Sequence, residues 1–159
     1  MAVSASEERK ALTREELAER LNEDLAREYQ AIIAYVVYSQ VIKGAQYMSI
    51  AQELEKHAGE ELQHAITIAK QIDYLGAMPT AKALPVKLSE DAVEMLRADL
   101  DNENATVRAY RQRVKECEAL GEFAIAEAIR EILTQEQEHQ IDLATALGED
   151  VPDVSKTKS

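Results

Sequence analysis

The sequence predicts an all-α protein, a four-helix bundle with one long crossover between its second and third helices. Ala, Glu, Leu, Lys, Arg and Gln dominate the 159 residues, which include only 5 Gly and 3 Pro, and this composition favours helix. Apolar residues recur at helical spacing in four long segments. Residues 77–88 lack that spacing and separate the second segment from the third.

The first two predicted helices form a hairpin. Thr13 and Glu16 have the spacing of a capping box, which predicts a first helix over about 14–43. The second helix is predicted over about 46–75, because Gly76 ends the pattern. The apolar stripes of these two helices are Leu17, Leu21, Leu25, Ile32 and Val36, and then Leu54, Ile68, Ile72 and Leu75.

The segment 77–88 is long enough to run the length of the bundle. Pro85 keeps the chain extended there. Twelve extended residues reach about 40 Å, and a helix of 28 residues is about 42 Å long. One such crossover distinguishes this topology from an up-and-down bundle, which has only short loops.

The last two predicted helices form a second hairpin. Ser89 is the predicted N-cap of the third helix, because acidic residues follow it in the first turn. Gly121 separates the third helix from the fourth, and Gly148 ends the fourth. Their stripes are Val93, Leu96, Leu100, Val107, Tyr110, Val114 and Cys117, and then Ile125, Ile129, Ile132, Leu143 and Leu147.

Length and charge restrict the class of protein. A chain of 159 residues suits one domain, here a bundle over 13–148 between a polar arm (1–12) and a polar tail (149–159). The net charge of −12 would repel nucleic acid and favours a cation partner. No signal peptide and no apolar run of about 20 residues is recognisable, so we expect a cytoplasmic protein without membrane contact. The single cysteine excludes an intramolecular disulfide and a rubredoxin-type iron centre.

The most informative feature is a set of metal-type residues that occurs twice. In each set, a glutamate is followed by a tyrosine 7 residues later and by a second glutamate 33 residues later (61 − 28 and 136 − 103). A histidine follows the second glutamate after three residues, and an offset of 75 relates the two sets. Four carboxylates and two imidazoles so arranged are typical of a two-metal site inside a four-helix bundle. The sets are Glu28, Tyr35, Glu61 and His64, and Glu103, Tyr110, Glu136 and His139.

The helical pattern places the four glutamates in the core at one level. On the third helix, every member of the stripe is apolar or aromatic except Glu103. Each histidine lies three residues after its glutamate, on the same face. Glu28 and Glu61 lie 16 and 17 residues from Gly44, so a rise of about 1.5 Å per residue brings them to nearly one height.

Four buried carboxylates require positive charge, because each unpaired buried charge costs several kcal/mol. Two divalent cations supply four positive charges. A carboxylate-rich set with one histidine per metal favours iron, or manganese, over structural zinc. We expect Glu61 and Glu136 to bridge the two metals. The terminal ligands are then Glu28 and Glu103, with one of the two histidines, His64 or His139, on each metal.

Four other residues have either a functional or a structural interpretation. Tyr35 and Tyr110 are placed to hydrogen-bond the terminal glutamates or to supply an electron, although core tyrosines would give the same pattern. His57 lies two turns before His64, and we interpret it as a surface histidine, with an iron route or secondary metal site as the alternative. Cys117 is expected to be packed in the core.

Three segments resemble the bacterioferritins of the ferritin-like superfamily. Residues 21–32 (LNEDLAREYQAI) are similar to the first-helix segment that carries a terminal glutamate, and residues 93–100 followed by Glu103 to the third-helix segment. Residues 131–139 (EILTQEQEH) are similar to the last Glu-x-x-His. The resemblance covers roughly 15–147 and implies a ferritin-like fold in which all six ligand positions match in type. It also implies oxidation of Fe(II) and deposition of ferric mineral inside a hollow homo-oligomeric shell.

Two differences from the bacterioferritins affect the expected cofactor and assembly. In that family a haem-binding methionine directly follows the glutamate of the first Glu-x-x-His, whereas this chain has Leu62, so haem is not expected. The family also has a fifth helix at the four-fold axis of a 24-subunit cage, where this chain has a polar tail with Pro152. A 12-subunit shell, as in the Dps-like group, is therefore an alternative, although the cysteine pair usual in that group is missing.

These observations predict a ferroxidase that stores or detoxifies iron, with two irons per subunit and dioxygen or hydrogen peroxide as the oxidant. A second interpretation is a non-storage di-iron or di-manganese enzyme, such as a rubrerythrin-like peroxidase. A third is a metal-free scaffold bundle. The repeated spacing weighs against the third, because a chance Glu-x-x-His would not recur with a matched partner glutamate.

Overall fold

A computed structural model describes residues 11–156, and within that range the chain forms four long helices and no strand. The first hairpin packs α1 against α2, the second packs α3 against α4, and α1 also contacts α3 as α2 contacts α4. The all-α class and the four-helix bundle predicted from the sequence are confirmed. The helices are α1 (Arg14–Val41), α2 (Met48–Tyr74), α3 (Ala92–Ala119) and α4 (Phe123–Ala146), with a 3-10 turn at Ala45–Tyr47.

The connection between α2 and α3, residues 75–91, runs along α1 as predicted. Near the start of α1, the Asn22 side-chain amide donates a hydrogen bond to the Met78 carbonyl at 3.0 Å. Near the end of α1, the Tyr38 hydroxyl donates to the Lys87 carbonyl. The crossover thus spans the bundle lengthwise, and α3 starts beside the end of α1.

The helix ends lie within two residues of the predicted limits, but one capping residue was wrong. The predicted capping box of α1 is present, because the Thr13 hydroxyl accepts from the Glu16 N–H at 3.1 Å. The cap of α3 is Asp91 rather than Ser89, since Asp91 Oδ1 accepts from the Glu94 N–H at 2.8 Å. The Ser89 hydroxyl lies too early in the chain to reach that N–H and accepts from the Asp91 N–H instead.

The apolar core consists of two clusters that are separated by a polar layer. Leu21, Ile72 and Ile125 belong to the first cluster, and Leu54 and Leu143 to the second. Along each helix, the predicted metal-ligand positions fall between residues of the two clusters. The clusters therefore close the polar layer off from both ends of the bundle.

Two members of the predicted stripes lie outside the core. Val36 and Val93 are 51% and 50% exposed. At about 100° per residue, each lies about 80° around its helix from the core-facing glutamate of that helix, far enough to reach the surface. Cys117 is fully buried, as predicted.

The structure describes the two ends of the chain only in part. The predicted polar arm lies outside the described residues apart from positions 11 and 12, and the last described residues, 149–156, are not helical. Glu149 pairs with Arg97, which fastens the start of the tail to α3. None of the helices described is both long and apolar enough for a bilayer crossing.

Candidate metal centre

All four helices contribute charged or polar side chains to the layer between the two apolar clusters. Single glutamates come from α1 and α3, and a Glu-x-x-His comes from each of α2 and α4. Each of these residues is at most 3% exposed. The structure thus brings together every residue of the predicted ligand set, which is Glu28, Glu61, His64, Glu103, Glu136 and His139.

The donor atoms of these residues form two overlapping groups of four. Within each group, all donor atoms lie within 4.8 Å of one another. Glu61 and Glu136 belong to both groups, so two ions bound in the groups would share these glutamates. The remaining members are Glu28 and His64 in one group, and Glu103 and His139 in the other.

One nitrogen of each imidazole faces the carboxylates. His64 Nδ1 is 2.9 Å from Glu136 Oε1 and 3.7 Å from Glu28 Oε2. His139 Nδ1 is 2.8 Å from Glu61 Oε1 and 3.2 Å from Glu136 Oε2. Both rings are therefore oriented as metal ligands would be, each with Nδ1 towards the shared glutamates.

Several buried donor and acceptor atoms of the centre have no hydrogen-bond partner among the residues described. Buried polar groups are normally satisfied, and an unpaired buried charge costs several kcal/mol. Even the 2.8 Å approach of His139 to Glu61 lacks hydrogen-bond geometry. These atoms fit a pair of divalent cations. They are Glu28 Oε2, Glu61 Oε1, Glu103 Oε2, Glu136 Oε2 and both ring nitrogens of His139.

The two repeated tyrosines connect the halves of the bundle. The Tyr35 hydroxyl on α1 donates to Glu103 Oε1 on α3 at 2.5 Å, and the Tyr110 hydroxyl on α3 donates to Glu28 Oε1 on α1. Each tyrosine thus binds the glutamate of the opposite set. Burial and the nearby carboxylates raise the pKa of both phenols well above 10, so they remain hydrogen-bond donors at neutral pH.

Removing either tyrosine hydroxyl should weaken metal binding. A Tyr35→Phe or Tyr110→Phe change leaves a glutamate oxygen without its donor, and loss of such an outer contact lowers metal affinity by about tenfold or more. The affinity for Mn(II) measured by calorimetry checks this expectation. Tyr74→Phe is the control, because Tyr74 is 62% exposed. Unchanged affinity in both variants would show that the phenols do not position the glutamates.

Two polar side chains beside the histidines, those of Gln135 and Glu60, were not predicted from the sequence. His64 Nε2 lies 2.5 Å from Gln135 Oε1, and the Gln135 amide donates to Glu60 Oε2 at 2.9 Å. Glu60 Oε1 in turn lies 3.6 Å from His139 Nε2. The outer nitrogens of both rings therefore face polar side chains, which fix ring orientation in metal sites. Glu60 and Gln135 differ by the repeat offset of 75, and that offset was the signal that could have identified them.

The interpretation of His57 as a surface histidine was wrong. Its side chain is 1% exposed, and its ring stacks on His139 with centroids 3.9 Å apart. Two helical turns separate it from His64, so both side chains lie on the core face. Burial, followed by the charge of His139, lowers the pKa of His57 to about 4.

Equivalent positions in the two halves also carry buried aspartates that the sequence did not single out. Asp24 is paired with Arg113 at 2.7 Å and with Arg27 at 2.6 Å. Its counterpart Asp99 is 2% exposed and forms no hydrogen bond through Oδ2 with any residue described. Burial, and then the charge of Glu103, raises the pKa of Asp99 well above 3.8.

Without cations, the centre holds protons in place of metal charge. Burial and the charges of Glu28 and Glu103 raise the pKa of Glu61 to about 8. Burial and the charges of Glu61 and Glu28 raise the pKa of Glu136 to about 7. Burial lowers the pKa of both histidine ligands, but the close approach of the glutamate carboxylates outweighs it and raises the pKa well above 6.5.

Metal binding should therefore release protons. Histidines and glutamates bind metal only when deprotonated, so we expect about two to four protons per subunit to leave as two cations bind at pH 7. Because protons compete with the cations, the affinity should rise with pH. Calorimetric titration with Mn(II) in two buffers of different ionisation enthalpy measures the number of protons released per subunit. Binding without proton release would contradict the assignment of these residues as ligands.

The fold and the centre define a class of protein, the four-helix bundles that enclose carboxylate and histidine metal ligands in their core. A family model, that of the ferritin-like domain, matches residues 18–150. The chain belongs to the ferritin-like family, whose members bind iron. The resemblance seen in the sequence is thereby confirmed.

Relatives and solved structures agree with this family. The bacterioferritin of Brucella melitensis is 26% identical over 139 residues, which cover 83% of this chain and 86% of the relative. The bacterioferritin of Desulfovibrio desulfuricans is 31% identical over 134 residues, which cover 84% of this chain and 73% of the relative. Both match over most of their length, so the likeness extends across the whole bundle.

Two solved structures share the fold. A ferritin-like, diiron-carboxylate protein from Bacillus anthracis str. Ames superposes with a TM-score of 0.81 at 32% identity, over 84% of this chain and 96% of that one. A dodecameric thioferritin, the bacterioferritin-related protein from Bacteroides fragilis, gives a TM-score of 0.80 at 26% identity, over 86% and 87%.

Proposed function

We propose that this protein is a ferroxidase, which oxidises Fe(II) at a two-metal centre inside each subunit and stores or detoxifies the iron. The observation that carries this proposal is the sharing of Glu61 and Glu136 by both ligand groups. Metal ions that share ligands lie close enough to act on one substrate molecule together. The matches to bacterioferritins support the same activity class.

In this proposal, Glu61 and Glu136 bridge two Fe(II) ions, which supply two electrons to dioxygen or hydrogen peroxide. With peroxide, two electrons and two protons cleave the O–O bond and yield two waters. With dioxygen, two electrons and two protons yield one molecule of hydrogen peroxide. The four carboxylates balance the four charges of the ferrous pair. The terminal ligands are Glu28 with His64 and Glu103 with His139.

The surroundings of the centre support redox chemistry in a buried and ordered site. The two tyrosine hydroxyls hold the terminal glutamates, and Gln135 holds the outer nitrogen of His64. The apolar clusters exclude water at the two ends of the polar layer, which strengthens the electrostatic interactions there. The chain therefore supplies orientation and charge balance, while the iron supplies electrons.

We further propose a homo-oligomeric shell of 12 or 24 subunits. The solved relative from Bacteroides fragilis is dodecameric. On this chain, Ile33, Val36, Leu62 and Ile66 of α1 and α2 are each 44% exposed or more, and exposed apolar patches mark protein contacts. Leu62 offers no ligand to a haem, and we expect none. The charge of −12 per subunit would attract Fe(II) to the assembly.

A non-storage di-iron or di-manganese enzyme, such as a rubrerythrin-like peroxidase, is the second candidate. The tyrosines that hydrogen-bond both terminal glutamates favour it, because phenols beside the metals can supply electrons to peroxide. The third candidate, a metal-free scaffold, conflicts with the unpartnered carboxylate oxygens.

Aerobic loading with Fe(II), followed by size-exclusion chromatography and iron analysis of the protein peak, tests these candidates. Storage predicts iron contents far above two per subunit, in a large particle. About two irons per subunit without mineral, together with peroxide turnover in the presence of a reductant, would favour the second candidate. Protein without bound iron would contradict both.

A further inference from the structure

A second cluster of potential metal ligands lies outside the paired centre. His57 Nε2 on α2 is 3.0 Å from Asp142 Oδ2 on α4. Glu53 lies one turn before His57 on α2, and donor atoms of all three residues lie within 4.8 Å of one another. We propose that Glu53, His57 and Asp142 form a third metal site, which binds one first-row divalent cation per subunit.

The geometry and charge of the cluster suit such an ion. Two ligand atoms that each lie about 2.1 Å from a metal and form a right angle at the metal are about 3.0 Å apart. This distance matches the 3.0 Å between His57 Nε2 and Asp142 Oδ2. Two carboxylates neutralise a divalent cation, and an imidazole with carboxylates suits Mn(II), Fe(II), Co(II) or Zn(II). Neither Glu53 nor Asp142 forms an ion pair with a lysine or arginine among the residues described.

The cluster is accessible from solvent without passage through the paired centre. Glu53 and Asp142 both line a cavity of about 310 Å³ at the surface, together with Gln46 and Ser49. His57 is buried behind them and is fixed by its stacking on His139 and by an edge contact with Tyr35. The cavity is large enough for a hydrated cation, and Nε2 of the buried ring lies 3.0 Å from Oδ2 of Asp142, one of the residues that line the cavity.

The internal repeat provides a comparison within the same molecule. The positions equivalent to Glu53, His57 and Asp142 carry Ala128, Ile132 and Thr67, by the offset of 75 (53 + 75, 57 + 75 and 142 − 75). These three residues line a cavity of similar size, about 310 Å³, in the other half of the bundle. Ile132 is 4% exposed, so an aliphatic side chain fills the core at this position. The polar triad in one half is therefore not a requirement of the core.

The third site is independent of the ferroxidase proposal, because none of its residues belongs to the six predicted ligands. Anaerobic titration of the intact protein with Mn(II) at physiological salt, followed by the EPR signal of free Mn(II), counts the bound ions. We expect three per subunit in the wild type and two in Asp142→Asn, which keeps the shape of the side chain and an acceptor for His57. Glu138→Gln, which removes the same charge from an exposed position of α4, should retain three.

Replacement by the repeat counterpart, His57→Ile, provides a second variant and should also lose one ion. Anomalous diffraction from crystals soaked in Mn(II) should show a peak between Glu53, His57 and Asp142 in the wild type and none in either variant. Two bound ions per subunit in the wild type, or equal numbers in the wild type and in Asp142→Asn, would refute the third site but not the paired centre. The absence of all bound ions would overturn both.

Discussion

Replacing Glu61 with glutamine should lower the initial rate of Fe(II) oxidation by at least about 100-fold. Loss of an outer contact to a metal ligand already costs about 10- to 100-fold, and Glu61 belongs to both ligand groups. The neutral amide keeps the size of the side chain but removes the charge that two cations would share. Stopped-flow absorbance after mixing the protein with Fe(II) in aerated buffer measures the rate.

Two controls separate this effect from a folding defect. Glu55→Gln makes the same change on an exposed position of α2 and should keep the wild-type rate. Glu61→Gln removes one of four buried acids, so its metal-free form should unfold at or above the wild-type temperature. A Glu61→Gln protein that oxidises Fe(II) at the wild-type rate would refute the bridging role.

Saturation with Mn(II) should raise the unfolding temperature of the wild type by about 10–20 °C. A ligand at 100 times its Kd stabilises the folded state by about 2.7 kcal/mol, so two ions contribute about 5 kcal/mol. For a domain of this size, 1 kcal/mol corresponds to about 2–4 °C. The physical reason is that the cations neutralise the mutual repulsion of the buried carboxylates. Several oxygens of these carboxylates lack hydrogen-bond partners among the residues described. Calorimetric scans with and without Mn(II) give the shift.

The stabilisation should depend on the shared glutamates. In Glu61→Gln, Mn(II) should raise the unfolding temperature by a smaller amount, and a chelator should return the wild type to its metal-free value. An identical shift in wild type and Glu61→Gln would place the stabilising cations elsewhere. No shift in the wild type would favour the metal-free scaffold.

The helices and the six-residue cluster could be predicted because they depend on short-range periodicity and on one repeated spacing. Glu28 and Glu103 stand out as single acids in apolar stripes, and the offset of 75 connects the two halves. Periodicity could not decide where the edge of a stripe leaves the core, and Val36 and Val93 were misplaced for that reason. The angle at which two helices pack decides those positions, and a single helix does not reveal it.

The environment of the cluster depends on contacts between helices that sequence spacing does not specify. Gln135 reaches His64 and Glu60 across the interface of α2 and α4. His57 was assigned to the surface, because its burial is produced by α4 and by the ring of His139, which spacing along α2 does not reveal. The exchange of tyrosine partners between α1 and α3 likewise became evident only once the helices were packed.

The most direct test of the two-metal centre is the amplitude of rapid Fe(II) oxidation as a function of the ratio of Fe(II) to subunit. Each addition of Fe(II) to metal-free protein in aerated buffer is followed by absorbance. With a two-metal centre, the fast phase should grow linearly and saturate at two Fe(II) per subunit, and Glu61→Gln should have no fast phase. Saturation at one Fe(II) per subunit, or a fast phase of equal size in Glu61→Gln, would contradict it.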